Sequence, residues 1–169
     1  VKKMNINIEE LLKNEGSSLD IDYKGNVEGL ESAIDSYTFK EPIIFRGTLQ
    51  NNKGKLHLTG LVSLEYSSPC FRCLEDVHGR AEIPVKEDII HADKVTDKDD
   101  VFTYEGDYLN LDKILLDYII LNMPMKQLCK EDCKGLCPTC GINLNEATCN
   151  CEEEKEINPK FDILKKYFE

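Results

Sequence analysis

Six of the chain's eight cysteines lie in one short stretch, from Cys129 to Cys151. Apart from cysteine, the apolar side chains of this stretch are only Leu136, Ile142, Leu144 and Ala147. They are too few to bury a core that offsets the entropy of ordering the segment. Four thiolates on one Zn²⁺ would supply the missing stability, because structural zinc sites contribute about 10 to 16 kcal/mol of apparent binding free energy. The stretch therefore predicts a metal-bound knuckle.

The most specific motif is the CxxC turn of Cys137 and Cys140, which is followed by Gly141. In such a turn both sulfurs face one ion, and the glycine relieves the backbone where the turn closes. Cys149 and Cys151 follow after a polar connection that suits a hairpin turn. Their CxC spacing is less usual than CxxC.

A second CxxC, formed by Cys70 and Cys73, lies far upstream of Cys129 and Cys133. Eight cysteines suggest two four-sulfur sites, and chain geometry favours one local site and one that closes a long loop. The local site would contain Cys137, Cys140, Cys149 and Cys151, and the other Cys70, Cys73, Cys129 and Cys133. A rival grouping joins the two CxxC turns in one zinc-ribbon site. We therefore expect one or two zinc ions.

The thiols are expected to be reduced. The first residues include Lys2 and Lys3 but no apolar run of signal-peptide length, and no apolar run is long enough to cross a bilayer. We therefore expect a cytoplasmic protein with no membrane partner. In such a protein, CxxC pairs indicate metal or redox chemistry more often than disulfides.

The formal net charge of −11 argues against extensive nucleic-acid binding, because that affinity comes from lysines and arginines that replace counterions on phosphates. Zinc tetrathiolate sites would add further negative charge. An acidic surface instead favours a basic protein partner, or RNA contact through one restricted patch.

Hydrophobic alternation predicts an α+β fold built on an antiparallel β-meander or barrel-like sheet, with packed helices and a C-terminal cysteine-rich zinc knuckle. The predicted strands are 19–23, 42–50, 55–66 and about 77–90, with a hairpin loop at 51–54. The first CxxC then lies at a strand tip. We expect an α+β body over residues 1–125, a zinc-binding segment over 126–151, and a linker with a terminal helix over 152–169.

Three helices are predicted. A short one lies between Asn7 and Gly16, and the last opens at Asn158-Pro159. Between them, Asn110 or Asp112 caps a helix whose apolar stripe is Leu111, Ile114, Leu115, Tyr118, Ile119 and Leu121. The acidic segment 93–107, which precedes this helix, is expected to be a solvated loop.

No enzyme signature is present. The chain lacks GxxxxGK, GxGxxG, HExxH and GxSxG motifs, and its three histidines are scattered. All-cysteine zinc sites are usually closed and structural, whereas catalytic zinc keeps an open position. We therefore expect no enzymatic activity and no small-molecule substrate.

Four basic residues stand near the cysteines: Arg72, Lys126, Lys130 and Lys134. They could bind RNA phosphates in an otherwise acidic protein. Alternatively, they neutralise excess thiolate charge and donate hydrogen bonds to sulfur.

The segments CFRCLE, LNMPMKQLC, CKEDCKGLCPTCGINLN and NPKFDILKKY together resemble the YceD-like family of large ribosomal RNA subunit accumulation proteins. The resemblance spans most of the chain from Cys70 onward. It implies a bacterial cytoplasmic factor, with plastid relatives, that is needed for processing or accumulation of large-subunit ribosomal RNA. The expected partner is a large-subunit ribosomal protein or pre-ribosomal RNA.

Two alternatives belong to other functional classes. The CPxCG turn in an acidic chain is also similar to rubredoxin-type Fe(Cys)₄ electron carriers, although neither CFRCL nor CNC has the following glycine. A thiol redox sensor that releases zinc on oxidation is the other alternative.

Overall fold

The computed structural model describes residues 4–95 and 101–151. In chain order the elements are β1 (Asn5–Asn7), α1 (Glu9–Lys13), β2 (Ser18–Gly25), α2 (Leu30–Ala33), β3 (Thr38–Asn52), β4 (Lys55–Pro69), β5 (Asp76–His91), a 3₁₀ turn (Ala92–Lys94), β6 (Phe102–Tyr104), β7 (Tyr108–Asn110) and α3 (Asp112–Asn122). The fold is therefore α+β with a majority of strands, as the alternation predicts.

A meander of β2, β3, β4 and β5 forms the centre of the fold, and each strand pairs antiparallel with the next. In each half of β4 every second side chain is buried. The core residues of this strand include Leu56, Leu58, Val62, Leu64 and Tyr66. The predicted hairpin between β3 and β4 is confirmed. Its two turn residues, Lys53 and Gly54, both have positive φ, at 56° and 80°, which matches the twist of the flanking strands.

Helix α3 packs on the core through Ile114, Leu115 and Ile119, each at most 1% exposed. Neither predicted residue is the N-cap, which is Leu111, although Oδ1 of Asn110 accepts the N–H of Asp112 at 2.8 Å at the start of the helix. The prediction that Leu121 belongs to the buried stripe is wrong, since Leu121 is 81% exposed. It lies two residues after Ile119, on the side of the helix that faces away from the core.

The predicted barrel-like closure is also wrong, because the strands form two separate sheets. Strand β6 pairs parallel with β5, and β7 pairs antiparallel with β1. The acidic segment expected to be only a loop thus contributes β6, which was not predicted. Among the described residues, the outer edges of β1 and β2 pair with no further strand.

Part of the sequence prediction lies outside the described residues. This concerns the linker and terminal helix of 152–169 and the middle of the acidic segment, 96–100. The division of the chain at residues 125/126 and 151/152 stays a prediction. None of the described helices has the length and apolar character needed to cross a membrane.

Candidate metal centre

The first CxxC forms a tight turn between β4 and β5, which we call the first knuckle (residues 70–75). The N–H of Leu74 donates to the C=O of Cys70 at 2.9 Å, and the N–H of Cys70 donates to the C=O of Glu75 at 2.7 Å. These two bonds close the loop at the tip of the β4–β5 hairpin. The sheet thereby holds Cys70 and Cys73 at a fixed position, at the strand tip where the sequence predicts them.

The second CxxC forms a second knuckle (residues 137–142) with the same hydrogen bonds. Gly141 donates its N–H to the C=O of Cys137 at 2.9 Å, and Cys137 donates its N–H to the C=O of Ile142 at 2.9 Å. Gly141 has a φ of 73°, a conformation that glycine adopts without a steric penalty. Two copies of one local structure thus present two pairs of sulfurs.

The segment after α3 brings Cys129 and Cys133 to the first knuckle. The N–H of Phe71 donates to the C=O of Gln127 at 2.8 Å, and Nε2 of Gln127 donates to the hydroxyl of Tyr66 at 2.6 Å. These contacts anchor the segment to the hairpin. We call Cys70, Cys73, Cys129 and Cys133 the first sulfur group.

The first sulfur group has the dimensions of a tetrahedral metal site. Its four Sγ atoms lie within 4.8 Å of one another, with 3.8 Å between Cys70 and Cys133 and 3.5 Å between Cys73 and Cys129. Bonds of about 2.3 Å from zinc to sulfur imply tetrahedral sulfur separations of about 3.8 Å. All eight cysteines of the chain are free thiols.

The remaining cysteines, Cys137, Cys140, Cys149 and Cys151, form a second sulfur group whose Sγ atoms also lie within 4.8 Å of one another. Cys137 is buried, Cys140 is exposed and the other two are half-buried. The structure therefore has the local and long-loop grouping that chain geometry favours. The rival grouping, in which the two CxxC turns share one site, is not the one observed.

Backbone N–H groups stabilise the thiolate form of the first cysteine in each knuckle. Burial disfavours the thiolate of Cys70, but the N–H groups of Cys73, Arg72 and Cys129 outweigh it and lower the pKa of Cys70 to about 6. The N–H groups of Cys140 and Thr139 likewise lower the pKa of Cys137 to about 6. Such donors are typical partners of metal-bound thiolates.

The pKa values of other thiols in each group shift in the opposite direction. In the first group the N–H of Glu75 favours the thiolate of Cys73, but burial and hydrogen bonding to the neighbouring thiols outweigh it and raise the pKa of Cys73 to about 12. Hydrogen bonding to Cys140, burial and the nearby charge of Cys140 raise the pKa of Cys151 to about 12. Four thiolates within 4.8 Å of one another repel strongly, so the protein alone cannot keep all of them ionised. A divalent cation at the centre removes this repulsion, and thiolate ligands select soft metals such as zinc. The donor set therefore fits a structural metal ion in each group.

Two asparagines connect the two sulfur groups. Nδ2 of Asn145 donates to Sγ of Cys133 at 3.3 Å, and Oδ1 of Asn145 accepts the N–H of Lys134 at 2.9 Å. Nδ2 of Asn143 donates to Oε1 of Glu75, in the first knuckle, at 2.8 Å. The connection that precedes Cys149 was expected to be only a polar turn, and its role in the first sulfur group was missed. The NLN sequence in the cysteine-rich segment was the available signal.

The four basic residues named from the sequence all border the first sulfur group, and all are exposed. Arg72 links both halves of the group, since its Nη1 donates to the C=O of Cys133 at 2.8 Å and of Glu131 at 3.4 Å. The ammonium of Lys126 lies 4.8 Å from the ring centre of Phe71. Lys130 and Lys134 are neighbours of Cys129 and Cys133 in the chain. In the described residues, the donors to sulfur come from the backbone and Asn145 and not from these side chains.

Comparison with protein families gives one decisive match. Residues 58–167 match the family described as "Large ribosomal RNA subunit accumulation protein YceD". The chain belongs to the YceD family. The matched range includes all eight cysteines, so both sulfur groups lie within the part of the chain that defines membership, as the resemblance implies.

Several other proteins resemble this chain at moderate identity. An uncharacterized protein of Mycobacterium tuberculosis is 31% identical over 111 residues, which is 63% of this chain and 53% of that protein. The uncharacterized protein YlbN of Bacillus subtilis is 31% identical over 130 residues, 74% of this chain and 73% of that protein. A maize protein named "Large ribosomal RNA subunit accumulation protein YCED homolog 1, chloroplastic" is 26% identical over 145 residues, 67% of this chain and 50% of that protein.

This chain thus spans about half the length of the mycobacterial and maize relatives, at 53% and 50%. No solved structure matches it.

Proposed function

We propose that this YceD-family chain is a non-enzymatic ribosome biogenesis factor of the cytoplasm. It supports processing or accumulation of large-subunit ribosomal RNA by binding a large-subunit ribosomal protein or pre-ribosomal RNA. Membership of the YceD family is the observation that carries this proposal. The printed name of the maize relative, which refers to accumulation of the same RNA, supports it.

In this proposal zinc occupies both sulfur groups and acts structurally. Four thiolates complete the tetrahedral coordination that zinc prefers, and no ligand position remains for a reacting water. The zinc ions would hold the segment from Cys129 to Cys151 against the tip of the β4–β5 hairpin, where few apolar side chains are buried. The metal thus supplies stability that the hydrophobic core supplies elsewhere.

The basic residues around the first sulfur group are the proposed contact with pre-ribosomal RNA. Lys130 and Lys134 are exposed on an otherwise acidic chain, and lysines at such positions bind phosphate as point charges. Phe71, whose ring centre lies 4.8 Å from the ammonium of Lys126, has 63% of its surface exposed. An exposed aromatic ring next to cations suits unpaired RNA bases, which stack on aromatic rings.

The experiment is deletion of the gene in its own host. We expect the ratio of mature large-subunit to small-subunit ribosomal RNA to fall, and a plasmid copy of the full chain to restore it. The variant Cys137→Ser/Cys140→Ser, which lacks half of the second sulfur group, should restore it poorly. An unchanged RNA ratio in the deleted strain would contradict the proposed function.

A further inference from the structure

The two sheets of this protein follow one another around an incomplete ring. Beyond the meander, β6 pairs with β5, and an isolated bridge between Glu105 and Tyr108 connects β6 to β7. Strand β7 then pairs with β1. A single bridge thus spans the step from β6 to β7, and among the described residues the step from β1 to β2 has neither a ladder nor a bridge. The space between β1 and β2 is therefore the open gap of the ring.

The edge of β1 presents free backbone groups to this gap. The N–H of Ile8 donates to the C=O of Asp107 at 2.8 Å, and the N–H of Leu111 donates to the C=O of Met4 at 3.1 Å. Residues that face a partner strand alternate along an antiparallel ladder. Met4 and Ile8 thus face β7, and the N–H and C=O groups of Asn5 and Asn7 face the gap.

The edge of β2 has the same property. The N–H of Asn51 donates to the C=O of Ser17 at 2.9 Å, which puts residues 17, 19, 21 and 23 in bonding positions with β3. By the same alternation, the backbone groups of Ser18, Asp20, Asp22 and Lys24 face the gap. The unpaired edges of β1 and β2 therefore face the same space, and each edge can pair with an added strand.

The space between these edges is a cleft of about 800 Å³, lined by residues of both β1 and β2. A smaller hollow of about 430 Å³ adjoins it and shares Asn7 and Leu19 with it. Three apolar side chains on the inner face are only half-buried, although they pack against the core: Ile6, Leu19 and Tyr23. The added strand would cover these apolar side chains.

The outer rim of the cleft is acidic. Asp20, Asp22 and Glu41 line it together with Lys24, and the three carboxylates are exposed. Asp22 also forms an exposed ion pair with Arg46 at 3.4 Å, and Asp20 accepts a hydrogen bond from the hydroxyl of Thr48 at 2.8 Å. The polar and apolar residues alternate along β2, with Leu19 and Tyr23 inward and Asp20 and Asp22 outward. An acidic rim repels phosphate, so nucleic acid does not suit this surface.

We propose that the cleft binds an extended segment of a basic partner protein as an additional β-strand between β1 and β2. Main-chain hydrogen bonds to both edges supply affinity, as in other cases of strand addition. Side chains alternate along the added strand, so apolar residues cover Leu19 and Tyr23 while lysines or arginines face Asp20 and Asp22. This inference deepens the proposed function and rests on it for the class of partner, a basic protein.

The test uses the full chain, zinc-loaded, and a blocked eight-residue peptide of alternating lysine and valine. We expect the peptide to shift the backbone amide NMR signals of β1 and β2 and to slow hydrogen exchange of Asp20, Asp22 and Lys24. A peptide of the same sequence, N-methylated at every second residue, has the same charge but cannot form all backbone bonds. It should bind at least about tenfold more weakly.

A matched pair of variants at Lys24 separates hydrogen bonding from charge. Lys24→Pro removes an N–H that faces the cleft, and proline is tolerated on an edge strand. Removal of the positive charge of Lys24 would by itself strengthen the binding of a basic peptide. We nevertheless expect Lys24→Pro to weaken binding about tenfold, while Lys24→Gln binds as well as the unchanged chain or better.

Several results would overturn the proposal. One is equal binding of the methylated and unmethylated peptides, which would indicate charge attraction only. Others are signal shifts away from β1 and β2, or no binding. A further one is strong exchange protection of Asp20 and Asp22 without peptide, which would mean that residues of this chain or a second copy fill the cleft. Since binding is measured on purified protein, normal ribosomal RNA levels after gene deletion would refute the proposed function and leave the cleft proposal standing.

Discussion

Leu74 and Gly141 occupy the same position in the two knuckles of this protein. Each donates its N–H to the C=O of the first cysteine of its CxxC at 2.9 Å, and each has positive φ, 64° for Leu74 and 73° for Gly141. Leucine pays a steric penalty of about 1–2 kcal/mol in this conformation, and glycine does not. The first knuckle therefore has the same geometry without a glycine, but its backbone is strained at Leu74.

We predict that Leu74→Gly stabilises the first knuckle. The side chain is 64% exposed, so little buried surface is lost, while the strain at positive φ is relieved. Glycine is also more flexible in the unfolded chain, which offsets part of this effect. The stability of the first knuckle should therefore rise by up to about 1 kcal/mol. It is measured as slower metal transfer to a chromogenic chelator. Leu74→Ala keeps the strained conformation and should show no gain, so equal effects of alanine and glycine would contradict the explanation.

The purified full chain is predicted to contain two zinc ions and to be colourless. Native mass spectrometry with elemental analysis measures the metal content, and Cys149→Ser/Cys151→Ser should lower it to one ion. Chelation should unfold the segment from Cys129 to Cys151, whose shape depends on metal, and leave the meander folded. A red protein that contains iron would instead indicate the rubredoxin-like electron carrier. Zinc release by mild peroxide would favour the redox sensor.

Asn145 is predicted to tune the first sulfur group, although it is not a ligand. Asn145→Ala removes the donor to Sγ of Cys133, and loss of such outer-shell partners typically lowers metal affinity about 10- to 100-fold. Asn145→Asp should be worse, because it adds a negative charge beside thiolates. Competition with a chelator measures the affinity of each group. The exposed Asn150, between Cys149 and Cys151, supplies the control variant Asn150→Ala. Equal affinities for all three variants would mean that the hydrogen bond has no effect on the metal.

Local patterns were sufficient to predict the meander and both knuckles. The strands of β3, β4 and β5 alternate in burial, and Cys70 and Cys73 lie where two such strands meet, so their position at the hairpin tip follows from near neighbours in sequence. The features that were missed depend on contacts between distant segments. The parallel pairing of Ile89 with Phe102 has no local signature, and the NLN sequence marks Asn145 without indicating that its partner is Cys133.

The failed prediction of a closed barrel has a physical cause. Alternation along β2 indicates one buried face but does not say which strand lies beside each edge. Closure requires tilt and register to agree around the whole ring, and the short β1 reaches β7 but forms no ladder with β2. The same limit applies to Leu121, because an apolar residue late in a helix continues the predicted stripe only if a packing partner extends that far.

The basic residues near the first sulfur group are predicted to divide into two classes. Arg72 joins the first knuckle to the carbonyl groups of Cys133 and Glu131, so Arg72→Ala should weaken metal retention whether or not RNA is present. Lys130 and Lys134 are exposed, so Lys130→Gln/Lys134→Gln should keep the metal affinity and lower association with large-subunit precursors in sucrose gradients. The salt dependence of that association should fall as well, because two phosphate contacts are lost. The exposed pair Lys40→Gln/Lys86→Gln on the sheet makes the same change in net charge and serves as the control. If both double variants weaken association equally, the effect comes from overall charge, and the surface around the first sulfur group does not contact RNA.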